Sequence, residues 1–169
     1  MNSYATNIAI GGTLPATKLK DLLRAVAQSR VGLDWNEATI GYHSNGLQEL
    51  SDGNDAAAAN GEPLRLYSDA ATNGRLDAIE SFCTTHGLSY RSESDPDHGE
   101  NGMVRWWTPG MAKPGEREAD SDGEPFIHVK DVVAALDAAN DAEAAVAALR
   151  DLVDQATPVE VPPLVLESE

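Results

Sequence analysis

Cys83 and His86 stand three apart in the stretch SFCTTH, a spacing that on a helix carries a thiol and an imidazole to one face, as a nucleophile and its base would need. The same spacing continues an apolar series, Leu76, Ile79 and Cys83. The thiol therefore reads as a core side chain, and His86 as a cation at the helix end where it meets the dipole. The stretch IGGTLPATK sets Gly11 and Gly12 between a strand and a helix, the local geometry that cradles phosphate on backbone amides. It carries neither G-x-x-x-x-G-K-[ST] nor G-x-G-x-x-G, so a tight turn is the expectation, with Lys18, Lys20 and Arg24 forming a small cationic patch on the following helix.

Two acidic loops could hold a divalent cation through oxygen ligands. DPDHGEN, Asp95 to Asn101, gathers three carboxylates and an imidazole, and ADSDGE, Ala119 to Glu124, gathers three more. Neither keeps calcium-loop order: Glu100 takes the place of the sixth-position glycine in the first, and no bidentate acid follows the second at the proper distance. His43, His98 and His128 are scattered and show no ligand spacing. Solvated loops are the expectation, without cofactor or metal, and no residue is nominated as catalytic.

NGMVRWWTPGM, Asn101 to Met111, places Trp106 and Trp107 side by side in a chain with three tryptophans. On a strand, Val104, Trp106 and Thr108 share one face, while Met103, Arg105 and Trp107 share the other. The helices expected are few beside six or seven strands, so one face should be partly open. That makes Arg105 with Trp107 an interface candidate, because Arg and Trp are enriched at binding hot spots; cover by C-terminal helices is the alternative.

The elements that must position these residues follow from periodicity. Tyr4 to Ile10 reads as a strand, a helix follows from Ala16 to about Ser29 on Leu19, Leu22, Leu23 and Val26, and Trp35 to His43 and Leu47 to Leu50 read as two further strands. Ser51 to Pro63 is expected as a loop. Leu64 to Tyr67, a helix from Asn73 to His86 stopped by Gly87, and strands Leu88 to Ser92 and Met103 to Thr108 then repeat the order. Past a Pro, Gly and charge-rich stretch, a short strand at Phe126 to Val129, helices at Lys130 to Ala138 and Asp141 to Gln155, and a proline-bounded edge strand in the tail complete the chain.

The fold class expected is thus α+β: a mainly antiparallel sheet from two βαββ, ferredoxin-like units, helices on one face, and a C-terminal helical segment packed on the sheet. Residues 1–108 form the sheet domain, with possible duplicated units at 1–50 and 63–108. Residues 109–125 form an acidic flexible loop and residues 126–169 the helical segment.

Charge bounds the function. The 169 residues carry 28 acids against 12 bases, a net charge of -16, so direct binding of nucleic acid through a basic face is unexpected. The distribution is uneven: residues 1–48 hold 3 acids and 4 bases, whereas residues 93–124 hold 9 and 3. With one cysteine and no long apolar run, a cytoplasmic protein without a membrane span is the expectation. The reading that follows is a non-enzymatic, acidic protein-binding module that mimics or displaces nucleic acid on a basic partner. Phage and plasmid anti-CRISPR and anti-restriction proteins are similar in class, being small, acidic and poor in catalytic motifs. The residues expected to carry it are Glu93, Asp95, Asp97, Glu100, Glu116, Glu118, Asp120 and Asp122, with Arg105 and Trp107 as anchor. Two alternatives stand beside it: a ligand-binding domain or enzyme using a sheet cleft near Gly11 and Gly12, and an accessory protein whose acidity serves solubility or high salt.

Overall fold

A computed structural model describes residues 2–96 and 99–168. Its organising element is β1 (Ser3–Pro15), longer than the seven-residue strand expected. The chain does not turn at Gly11. The strand continues because its far half gains its own partner: β6 (Leu164–Glu167) pairs parallel with Gly12 to Pro15. The segment leading to β6 crosses so closely that a Cβ on Gly11 would lie 1.6 Å from the Pro162 carbonyl oxygen, which only glycine permits. Gly12, at φ 113°, adopts backbone that other residues rarely tolerate. This replaces the tight strand-to-helix turn expected at Gly11 and Gly12, and with it the local geometry that could have cradled phosphate.

The sheet has the order β2-β1-β3-β4-β5, with β2 (Leu64–Thr72), β3 (Ser89–Ser94), β4 (Gly102–Trp107) and β5 (Gly115–Ala119) joined by antiparallel pairings. Three helices supply the main core on one face: α1 (Leu19–Ser29), α2 (Ser44–Ala59) and α3 (Asp77–His86). Leu22, Leu23 and Val26 of α1, Leu50 of α2, and Ile79 and Cys83 of α3 pack with Ile8, Ile10, Leu64, Leu66 and Tyr90 of the strands. Each large apolar side chain taken fully from water there contributes roughly 1.5–3 kcal/mol, which the ordering of the chain largely offsets.

The βαββ order appears once, in β2-α3-β3-β4. The first half of the chain departs from it. Trp35 to His43 is irregular: Asn36 has φ 63°, and only Ile40 in this run is buried. The expected strand Leu47 to Leu50 and most of the expected loop, Ser51 to Ala59, are instead the helix α2, begun where His43 Nδ1 accepts the Gly46 N–H at 3.0 Å; only Asn60 to Pro63 remain a connection. Within 109–125, expected as a loop, Gly115–Ala119 forms β5. Phe126 to His128 is not a strand; it touches β5 through the Phe126 N–H to the Glu118 carbonyl, and α4 (Val129–Asp137) follows at once. Helix α5 (Ala142–Ala156) starts at Asp141, whose carboxylate accepts the Ala144 N–H at 2.8 Å. No described helix is long and apolar enough to cross a membrane.

Candidate functional site

Strand β3 leaves the sheet after Ser94, β4 enters it at Gly102, and β5 ends at Ala119 opposite Gly102. The turn after β3 and the loop after β5 therefore emerge at the same end of the sheet, beside the start of β1, where Thr6 pairs with Ser94. Asp95, Glu100, Asp120 and Asp122 share that end, while Glu93 and Glu118 sit just inside it on their strands and Glu116 lies further along β5. Asp97 lies outside the described residues.

These carboxylates are not equivalent. Glu93 stands 2.7 Å from Arg91 Nε, without the alignment of a hydrogen bond, and also accepts from Asn7. Glu100 accepts the Tyr4 hydroxyl, which binds the turn to β1. One Glu116 oxygen takes both Arg105 Nε at 2.7 Å and Arg75 at 3.0 Å. Glu118 accepts from Asn101 and lies 3.4 Å from His128; these two partners hold its carboxyl below the usual glutamate range. Asp120 folds its own loop by accepting the N–H groups of Asp122 and Glu124 at 2.9 and 3.0 Å, an Asx-type turn completed by Gly123 at φ 77°. Asp95 and Asp122 are exposed, with no side-chain partner among the described residues.

The tryptophan doublet divides as the strand period requires. Trp106, opposite Arg91 and Gly115, lies on the face away from the main core. There it joins Val104 and Ala119 in a second apolar cluster, covered by Met111 and Val159. Gly115 is needed beneath it, since a Cβ there would lie 2.4 Å from the indole. Trp107 faces the main core, half-buried, and donates its indole N–H to the Met111 carbonyl at 3.2 Å. Arg105 is not a surface anchor. It is 5% exposed and spans from Glu116 to the Gly74 carbonyl, 2.7 Å from each.

Beneath that guanidinium lies a buried polar group. Glu80, on α3, is 9% exposed and accepts long contacts, 3.4 Å each, from the Leu76 N–H and the Ser92 hydroxyl. Loss of solvent pushes its carboxyl above the ordinary range, with the Arg105 charge opposing. Tyr90 is fully buried; its hydroxyl lacks a well-formed hydrogen bond, yet burial and the neighbouring Glu80 push its ionisation well up. Burial, then Glu80, likewise pushes the Cys83 thiol up, as expected of a core side chain; the His86 ring lies against Phe82, centroids 4.3 Å apart and tilted by 39°. The signal for Glu80 is in the sequence: it fills the i+4 position from Leu76 in the stripe Leu76, Ile79, Glu80, Cys83.

Two clefts flank these features. One of about 570 Å³, between β5 and the end of α5, has Trp106 and Met111 in its lining and a balanced rim of Lys113, Arg117, Glu116 and Asp154. Another of about 470 Å³ is lined by Arg65 and Arg91 against Glu62, Glu93 and Glu160. Neither rim favours one sign of charge strongly. The expected Lys18 and Arg24 patch is partly neutralised by Asp21, at 3.6 and 3.3 Å. Comparison with protein-family models, curated proteins and solved structures gave no match to this chain.

Proposed function

We propose that the protein is a non-catalytic, acidic binding module that sets the carboxylate-bearing end of its sheet on a basic protein surface, displacing nucleic acid there as anti-CRISPR and anti-restriction inhibitors do. The observation that supports it is the pairing of charge along β3, β4 and β5. The strand cations Arg91 and Arg105 lie against Glu93 and Glu116, while Asp95 and Asp122 stand exposed on adjoining loops with no side-chain partner among the described residues. Carboxylates so presented can replace phosphates in a groove lined by Lys and Arg, giving fast but salt-sensitive association. Arg105, being internal, supports this end rather than touching a partner. Trp107 offers only part of its ring.

The test is capture of nucleic-acid-processing complexes on the immobilised protein, native and with Asp95→Asn and Asp122→Asn together. The reading requires that the double variant lose capture while keeping its unfolding midpoint. Unchanged capture removes these two loops from any interface.

A second reading draws on a different observation: exposed carboxylates also populate α2 and the C-terminal helices, among them Asp52, Asp55, Glu143 and Asp151. In that reading the acidity serves solubility or a salty medium. It requires an unfolding midpoint that climbs with KCl into the molar range, and no basic partner at any salt.

A further inference from the structure

Among the described residues, five of the seven large apolar side chains that stand exposed, Val129, Val133, Leu136, Val146 and Val153, belong to α4 and α5. The concentration is not the scatter expected of a protein surface. Helix α4 buries no residue and α5 only Ala156; Val129, the first residue of α4, is 77% exposed. Val129, Val133 and Leu136 follow the i, i+4, i+7 spacing of a single helical face, and Val146 and Val153 share a face of α5. Two amphipathic helices that pack on each other through half-buried neighbours, and still present this spacing outward, are two members of a bundle with room for a third.

The charges around the stripe specify what fits. Residues 129–156 hold six carboxylates against two cations, Lys130 and Arg150. A second copy would bring the same six acids and a whole-chain charge of -16 against its like, and an anionic lipid surface is repelled for the same reason. We infer that the exposed face of α4 and α5 is a docking surface for an amphipathic helix of a partner protein, one whose apolar stripe is flanked by Lys and Arg. Apolar contact supplies the affinity, and the carboxylate rim selects the sign of the partner. The surface lies on the helices and not on the loops that carry Asp95 and Asp122, although α4 begins beside Glu118, which His128 approaches at 3.4 Å.

The test uses a synthetic Leu and Lys amphipathic peptide of about five helical turns, a scramble of it that breaks the stripe, and a Leu and Glu counterpart. The expected result is that the Leu and Lys helix binds at least about tenfold more tightly than its scramble, and that the acidic peptide does not bind. Val133→Ser with Leu136→Ser should weaken it about tenfold, and Val146→Ser on the facing helix should weaken it as well. Far-UV circular dichroism checks that these exposed substitutions leave the helices formed. Asp95→Asn with Asp122→Asn should leave peptide binding unchanged, which separates this surface from the one proposed above. Equal binding of the scramble, indifference to the serine variants, or a dimer in sedimentation that those variants dissolve would each overturn the inference.

Discussion

Glu80 shows how one side chain can set the pH behaviour of a fold. Its carboxyl is raised above the ordinary 4.5, first by burial, with Arg105 opposing. The folded chain therefore holds this proton more tightly than the unfolded chain does. The resulting stability is fully present below about pH 4.5 and is lost as pH rises through the raised native value. Glu80→Gln keeps the shape and removes the titration. Urea midpoints measured from pH 4 upward should show the native protein falling relative to Glu80→Gln across that window, and parallel profiles would contradict the assignment. The two faces of the tryptophan doublet were legible from strand period alone. The burial of Arg105 was not, because a period of two names a face without saying what covers it. That cover comes from Gly74 and from Glu116, 31 and 11 residues away in the chain.

Elements were legible where an apolar stripe repeats. Helices α1, α3, α4 and α5 and strands β2 and β4 all carry one, and Leu88 with Tyr90 marks the start of β3. Helix α2 does not: its buried positions are Gly46, Leu50 and Asn54, and Gly53 and Asn54 read locally as loop formers. It forms because the fold supplies a tight seat, where a Cβ on Gly53 would come within 2.6 Å of Leu33. Strand β5, GEREA, is polar at nearly every position and is a strand because β4 pairs with it and Arg105 binds Glu116. Gly11→Ala tests the tail at this scale. The added methyl must displace the Pro162 carbonyl, so the variant should lose about 1–3 kcal/mol and the amide protection of Leu164 to Glu167 before that of the rest of the sheet. The C-terminal helices, with a single buried alanine, should exchange their amides well before β1 and β3, and Asp141→Ala should speed α5 further at a cost of about 1 kcal/mol.

For the molecule as a whole, charge is the strongest property visible in the sequence, and the strand ladder adds its arrangement. Residues 95–96, 99–101 and 120–124 are separated in the chain but gather at one end of the sheet, and the cations Arg91 of β3 and Arg105 of β4 lie against the strand carboxylates Glu93 and Glu116. A surface of this kind should compete with nucleic acid. The most direct measurement is retention of a nucleic-acid-processing complex on the immobilised protein, with short duplex DNA as competitor and the salt raised stepwise. The account predicts retention at low salt that falls steeply as salt rises, and that the duplex reverses. Absence of any basic complex at low salt, or retention indifferent to both the duplex and the salt, would contradict it.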